Sequence, residues 1–191
     1  MSKVVVFMNL TLDGVMQAPG RPDEDRRDGF EHGGWAMPYA TMEAAEESMA
    51  YTGALLLGRR TYEDFYAVWP NRTDNPFTVV LDNTQKYVAS TTLEEPLSWS
   101  NSTLLKGDAA EAVARLKEEP GKDFVVLGSG ELVQSLMRRN LVDEYVLLIH
   151  PLVLGSGRRL FTDGGTFAAL RLVGTKTTTT GVVIATYAAT H

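Results

Sequence analysis

The chain contains no cysteine in 191 residues. That absence excludes disulfide scaffolds, cysteine nucleophiles, iron–sulfur clusters and thiolate zinc sites, because each needs a sulfur. Histidine is nearly as scarce. His32, His150 and His191 are too few for a histidine-rich metal site; composition leaves carboxylate sites open, but no metal is expected. Positive charge is also in deficit, with 18 Lys plus Arg against 24 Asp plus Glu and a net charge of −6. Nucleic-acid binding depends on a basic face that neutralises phosphates, so no nucleic-acid partner is expected. Long hydrophobic runs are missing too, and nothing approaches the ~20 apolar residues that cross a bilayer. The short run Val4–Met8 meets Asp13-Gly14 before any small-residue cleavage site, which reads as a buried strand rather than a signal peptide. The expectation is a soluble, cytoplasmic protein without membrane contact. At this length residues 1–191 are expected to form one domain with its own core.

What the chain does have is alternation. Lys3–Leu12 is a valine-rich apolar stretch suited to a strand covered on both faces, and it stops at Asp13-Gly14. From there to Pro38 the sequence is Gly, Pro and charge, yet Trp35, Met37 and Tyr39 argue against a solvated linker. Thr41–Thr52 reads as a helix with Thr41 as N-cap and Gly53 as its stop. Ala54–Leu57 reads as a strand, Arg59–Val68 as a helix, Phe77–Leu81 as a third strand, and the region to Lys106 as weaker strand and turn. Asp108 caps a helix to about Glu119, which Pro120-Gly121 ends. Phe124–Leu127, Glu131–Arg139 and Glu144–Ile149 then give strand, helix and strand, and this alternation predicts a mainly parallel, helix-covered sheet. Phe167–Lys176 and Gly181–Ala189 follow with no helix between them, as an antiparallel edge hairpin.

Two strand-to-helix turns carry chemistry. Gly128-Ser129-Gly130-Glu131-Leu132 offers backbone N–H groups and the positive end of a helix dipole to a phosphate, although a plain tight turn accounts for the spacing equally well. Val133 stands where the dinucleotide fingerprint has its third glycine, so a first-turn Rossmann site is not supported. Gly58-Arg59-Arg60-Thr61 has the same setting. Cations beside a helix N-terminus are unfavourable by ~0.3–1 kcal/mol, so two arginines there suggest that an anion offsets the repulsion, the alternative being two solvated arginines outside the helix proper. Two such sites in one α/β sheet are what a dinucleotide requires.

Leu55–Tyr62, Val126–Gly130, Val142–Tyr145, His150-Pro151, Leu154–Gly157 and Leu160-Phe161 occur in one order, together with Thr11–Gly14 and Gly33-Gly34-Trp35. In these motifs the chain resembles the dihydrofolate reductase-like proteins that include the reductase domain of bacterial riboflavin biosynthesis. The resemblance implies a three-layer α/β fold, a central mixed and mostly parallel sheet flanked by helices, with NADPH as cofactor. Carried over, Gly58, Arg59, Arg60 and Thr61 bind cofactor phosphates, an arginine reading the 2′-phosphate. Leu81, Asp82 and Asn83 border the adenosine end, and Leu127, Gly128, Ser129, Gly130, Glu131 and Leu132 hold the pyrophosphate. Asn9 and the Leu12–Met16 segment, with Gly14 allowing close approach, lie against the nicotinamide.

On the acceptor side the folate enzymes place a carboxylate in their first helix. Glu43 is the nearest match here and Asp13 is a rival, although a single glutamate at a helix start is more often a solvated N-terminal charge. Trp35 is read either as a cover for the substrate ring or as an anchor of its loop, with Met16 and Tyr39 beside the acceptor. His150 is read as structural, and His32 as a solvated surface group rather than an acid or base. Gly155-Ser156-Gly157 with Arg158 or Arg159 suits either a substrate phosphate or a plain turn. The expected function is hydride transfer from NADPH to a small pterin- or pyrimidine-like heterocycle, or a related imine or carbonyl. Two alternatives stay open: the riboflavin-pathway reduction of 5-amino-6-(5-phosphoribosylamino)uracil, and a dinucleotide-binding module without turnover. Related reductases imply a homodimer.

Overall fold

The apolar runs Ala54–Leu57 and Phe124–Leu127, which stop at glycine, become strands, and the stretches after them become helices, in a computed structural model that describes residues 1–51, 53–75 and 77–190. The strands are β1 (Val4–Thr11), β2 (Ala54–Gly58), β3 (Lys86–Ala89), β4 (Ser102–Leu105), β5 (Phe124–Leu127), β6 (Glu144–His150), β7 (Leu170–Thr177) and β8 (Val183–Ala189). The α-helices are α1 (Met42–Ala50), α2 (Arg59–Val68), α3 (Phe77–Asn83), α4 (Ala109–Glu118) and α5 (Gly130–Arg138). Thr52, the expected end of the first helix, and His191 lie outside the described residues. Among those described, no helix is long and apolar enough to cross a membrane.

The chain forms two compact units, the first from Met1–Val4 and Thr52–Leu141, the second from Val5–Tyr51 and Val142–His191. In the first, β4, β3, β2 and β5 lie side by side and all pair in parallel. Leu56, Leu57, Val88 and Val126 on these strands are fully buried, as are Val113 of α4 and Val133 and Leu136 of α5. In the second unit β1 pairs in parallel with β6, while β8 runs antiparallel to both β6 and β7. The mixed, mostly parallel pairing and the C-terminal hairpin are as expected, with β7 starting at Leu170 rather than Phe167.

One element departs from expectation. Phe77–Leu81 is not a strand but the body of α3. Asn75 Oδ1 accepts the Phe77 N–H at 2.9 Å, which starts a helix locally. Burial then follows helical spacing, with Thr78 and Leu81 inside and Val79 and Val80 exposed. The strands of this region lie further on, at β3 and β4.

The long glycine- and proline-rich loop is folded around its own small core. Val15, Ala18, Phe30 and Trp35 form a buried cluster, against which Leu152 and Leu154 pack. Trp35 donates its indole N–H to Gln17 O at 2.7 Å, and Gln17 Oε1 accepts the Arg158 N–H at 2.9 Å. Gly33 is required by close approach, since a Cβ there would stand 2.7 Å from the carbonyl oxygens of Arg21 and Pro22.

Candidate functional site

Two turns of the first unit share one design. β2 ends at Gly58, the N-cap of α2; β5 ends at Leu127, after which Gly128 (φ 55°) and Ser129 (φ 59°) turn left-handed and Ser129 caps α5. Because β2 and β5 are parallel neighbours, both helices begin at the C-terminal end of the same strand pair, where open α/β sheets bind ligands. Neither cap residue lends a side chain to its own helix. An uncapped helix start keeps amide donors for an anion. Ser129 instead ties the two turns together: its Oγ accepts the Gly58 N–H at 2.9 Å and lies 2.9 Å from Thr61 Oγ1 and 3.0 Å from Leu127 O. A Cβ on Gly128 would stand 3.0 Å from Thr61 Oγ1, so this position needs glycine for space as well as for φ.

Gly58 and Thr61 thus meet Gly128 and Ser129, with Leu132 buried in the core beneath. The Gly58 N–H is spent on Ser129. Arg59 pairs with Glu63 one turn on at 3.1 Å, whereas Arg60 is exposed and makes no ion pair among the described residues. Leu81, Asp82 and Asn83 do not follow a strand: they form the last turn of α3. Asp82 Oδ1 accepts the Trp99 indole N–H at 2.6 Å, and its backbone oxygen accepts from Asn101. Beside them is a group that the sequence reading missed. Lys86 is fully buried, donates to Leu81 O at 2.6 Å and Thr84 O at 2.7 Å, and lies 4.5 Å from the centre of the Trp99 ring. Burial pulls its pKa down to about 8, against the opposing pull of Asp82.

The second unit holds the residues expected on the acceptor side. Asn9 is the one position of β1 that is not buried. Its Oδ1 lies 2.9 Å from Nε2 of His150, a buried residue at the end of β6. Trp35 and Tyr39 meet the imidazole edge-on, at 5.2 Å and 5.6 Å between ring centres. His150 Nδ1 is buried without a partner, and desolvation lowers the ring's pKa to about 4, so it is neutral at physiological pH. Trp35 is buried and its N–H committed, which is the behaviour of a loop anchor. Met16 is half-buried and its N–H donates to Arg158 O. Gly14, at φ 79°, closes the turn after β1. His32 is exposed, with its ring edge-on to Phe30.

The two carboxylates proposed for proton transfer stand apart in character, and no hydrogen bond links them among the described residues. Asp13 accepts from the Thr11 hydroxyl, from the Gly155 N–H at 2.8 Å and from the Leu154 N–H at 3.3 Å, and Arg159 lies 3.6 Å away. The Thr11 bond foremost, with the two backbone donors, outweighs partial burial and holds its pKa near 2. A carboxylate so committed is ionised at neutral pH and is no proton donor; it clamps the Leu154–Gly155 turn at the start of Gly155-Ser156-Gly157. Glu43 is exposed in the first turn of α1, at a cavity of about 380 Å³ that it lines with Glu46, Glu47 and Lys176. There Glu47 and Lys176 form an ion pair at 2.6 Å.

Comparison with known proteins shows the fold and the family. The chain is 33% identical to protein YyaP of Bacillus subtilis (strain 168) over 138 residues, covering 70% of this chain and 72% of that one. A solved structure from Shewanella sp. PV-4, named for riboflavin biosynthesis, is 21% identical, with a TM-score of 0.69 and 99% of each chain covered. Dihydrofolate reductase from Enterococcus faecalis, solved with NADP(H), is 13% identical, with a TM-score of 0.60 over 99% of this chain and 97% of that one. These structures share the mixed sheet and its flanking helices. The family model described as the RibD C-terminal domain matches residues 2–184, and the chain belongs to that family.

Proposed function

We propose that the protein is an NADPH-dependent reductase that delivers a hydride to a small, flat, nitrogen-containing heterocycle or a related imine or carbonyl. The observation that carries this reading is the pair of uncapped helix starts tied by Ser129, with Arg59 and Arg60 at one of them. The residues fit a dinucleotide: amides for the pyrophosphate, a glycine at 128 where a Cβ would crowd Thr61 of the neighbouring turn, and an exposed cation, Arg60, for a 2′-phosphate. When bound, the nicotinamide supplies the hydride. The protein's own part is to hold phosphates through residues 58–61 and 127–132, and to present Asn9 and the turn at Gly14 to flat ring ligands. Residues 1–191 act as a single reductase domain in this reading.

Membership of the RibD C-terminal domain family favours a pyrimidine such as 5-amino-6-(5-phosphoribosylamino)uracil as one acceptor to test. A second reading, a dinucleotide-binding module without turnover, is favoured by one observation: Asp13 is held ionised and Glu43 is exposed, so neither is a buried proton donor. Calorimetric titration with NADPH and NADH, followed by single-turnover oxidation of bound NADPH in the presence of that pyrimidine, separates the readings. Tight NADPH binding with oxidation supports the reductase. Tight binding with no oxidation by any heterocycle supports the module, and absence of binding removes both.

A further inference from the structure

β1 is a strand buried along its whole length except at Asn9. An amide in such a strand is costly unless its polar atoms are met, so the way Asn9 meets them is informative. Its carboxamide oxygen faces inward, 2.9 Å from His150 Nε2. To donate there, the imidazole must carry its proton on Nε2. The bare Nδ1 is then the ring atom left without a partner among Trp35, Tyr39 and the strand core, where an extra proton is not tolerated. The imidazole is therefore a fixed, neutral, one-sided donor. Its single bond decides which way the Asn9 amide points, since the reversed amide would set N–H against N–H. The Asn9 NH2 group is thereby turned outward, at the one open position of the strand, and has no protein partner among the described residues.

We infer that His150 is a positioning residue that fixes Asn9 as an outward-facing donor for a carbonyl oxygen on a planar ring ligand. An aligned, half-exposed donor near the C-terminal ends of two parallel strands, β1 and β6, is suited to such an oxygen. The oxygen could belong to the nicotinamide carboxamide or to an oxo-heterocycle acceptor. The inference rests on the proposed function only in the first case.

The test uses the whole protein and two kinds of readout. Nitrogen-15 NMR of histidine-labelled protein reports the tautomer directly: His150 is expected as the Nε2–H form at neutral pH, and an Nδ1–H form overturns the proposal. Binding is measured for NADPH, for 2′-phospho-ADP-ribose, which lacks the nicotinamide, and for 5,6-diamino-2,4-dioxopyrimidine. Losing one hydrogen bond predicts that Asn9→Leu weakens the carbonyl-bearing ring ligand about three- to tenfold and leaves 2′-phospho-ADP-ribose unchanged. His150→Leu should produce a similar loss, His150→Gln should restore most of it, and His150→Leu added to Asn9→Leu should cost nothing more, because His150 acts through Asn9. Loss confined to NADPH assigns the oxygen to nicotinamide, and loss confined to the dioxopyrimidine assigns it to the acceptor. Unchanged binding of both by folded Asn9→Leu overturns the proposal, as do additive losses in the double variant. If His150→Leu does not fold, the tautomer and the Asn9→Leu titrations still decide. If the unmodified protein binds neither nucleotide, the reductase reading fails by itself, and the dioxopyrimidine series and the tautomer judge this inference.

Discussion

Ser129 Oγ accepts the Gly58 N–H at 2.9 Å, joining residues 71 apart in sequence. One hydroxyl thus holds two strand-to-helix turns in register, and a ligand bound by both turns depends on it. Ser129→Ala removes the acceptor and leaves the Gly58 amide without its partner, so a destabilisation of about 1–3 kcal/mol is expected in denaturant melts. NADPH and NADH should both weaken, because the pyrophosphate they share is proposed to lie on these two turns. Weakening of NADPH alone would show that Ser129 serves the 2′-phosphate end instead.

Arg59 and Arg60 should differ in effect. Arg59 is engaged with Glu63, whereas Arg60 is exposed and makes no ion pair among the described residues. Arg60→Ala should therefore erase most of the NADPH preference over NADH, roughly ten- to a hundredfold for a charge-assisted contact of ~1.5–3 kcal/mol. Arg59→Ala should erase less of it. Because both arginines are open to solvent, the preference should also fall as salt is raised. Titrations of the two nucleotides at two ionic strengths check all three statements, and equal affinity of the unmodified protein for both nucleotides removes the 2′-phosphate site.

Gly128 is held at φ 55° with Thr61 Oγ1 only 3.0 Å from where a Cβ would sit. Gly128→Ala combines left-handed strain with a close contact and should cost about 1–3 kcal/mol of stability. Trimming the contact with Thr61→Gly in the same chain should return part of it. A Gly128→Ala protein as stable as the unmodified one would mean that the turn relaxes freely, and the cradle would lose its claim to rigidity.

Much of this site was legible because its signals are local. The runs Ala54–Leu57 and Phe124–Leu127 end at glycine beside a helix start, and both turns were read from those few residues. α3 was not legible: Phe77–Leu81 has strand propensity, and only the Asn75 bond and the burial of Thr78 and Leu81 override it. The Asn9–His150 pair spans 141 residues and exists only because β1 and β6 lie side by side. A polar Asn9 inside an otherwise apolar strand was the available signal, since such a residue demands a partner. Lys86 sent a similar signal, opening a strand whose burial its charge opposes.

His150 and Lys86 should also shape stability against pH. Both folded pKa values are depressed, to about 4 and about 8, so in each case the unfolded chain binds the proton more readily. Stability should accordingly fall as pH drops from about 6.5 to about 4 as the unfolded histidine protonates. It should rise between about pH 8 and 10.5 as the lysine of the unfolded chain loses its proton. Each window is worth up to about 3 kcal/mol at 1.36 kcal/mol per pKa unit. Urea melts of the unmodified protein and of His150→Gln across pH 4–7 test the first window. Identical slopes for the two proteins would place the acid sensitivity elsewhere.

Asp13 supplies the sharpest separation between catalysis and architecture. Its carboxylate is bonded to the Thr11 hydroxyl and to the amides of Leu154 and Gly155, with a pKa near 2. A folded pKa below the unfolded value means a stabilising contribution that is complete above about pH 4 and disappears as pH falls toward 2. Asp13→Asn keeps the shape but weakens the charged acceptor, so a loss of about 1–3 kcal/mol is expected, accompanied by a shallower acid limb. Because the group is ionised and committed, it cannot give a proton to an acceptor, and the hydride-transfer rate of folded Asp13→Asn should stay within about threefold of the unmodified protein. A general acid would behave otherwise, its removal costing ~10²–10⁴ in rate with little change in stability. Single-turnover oxidation of NADPH and a urea melt on the same preparation distinguish the two. A hundredfold rate loss at unchanged stability would restore Asp13 to the chemistry.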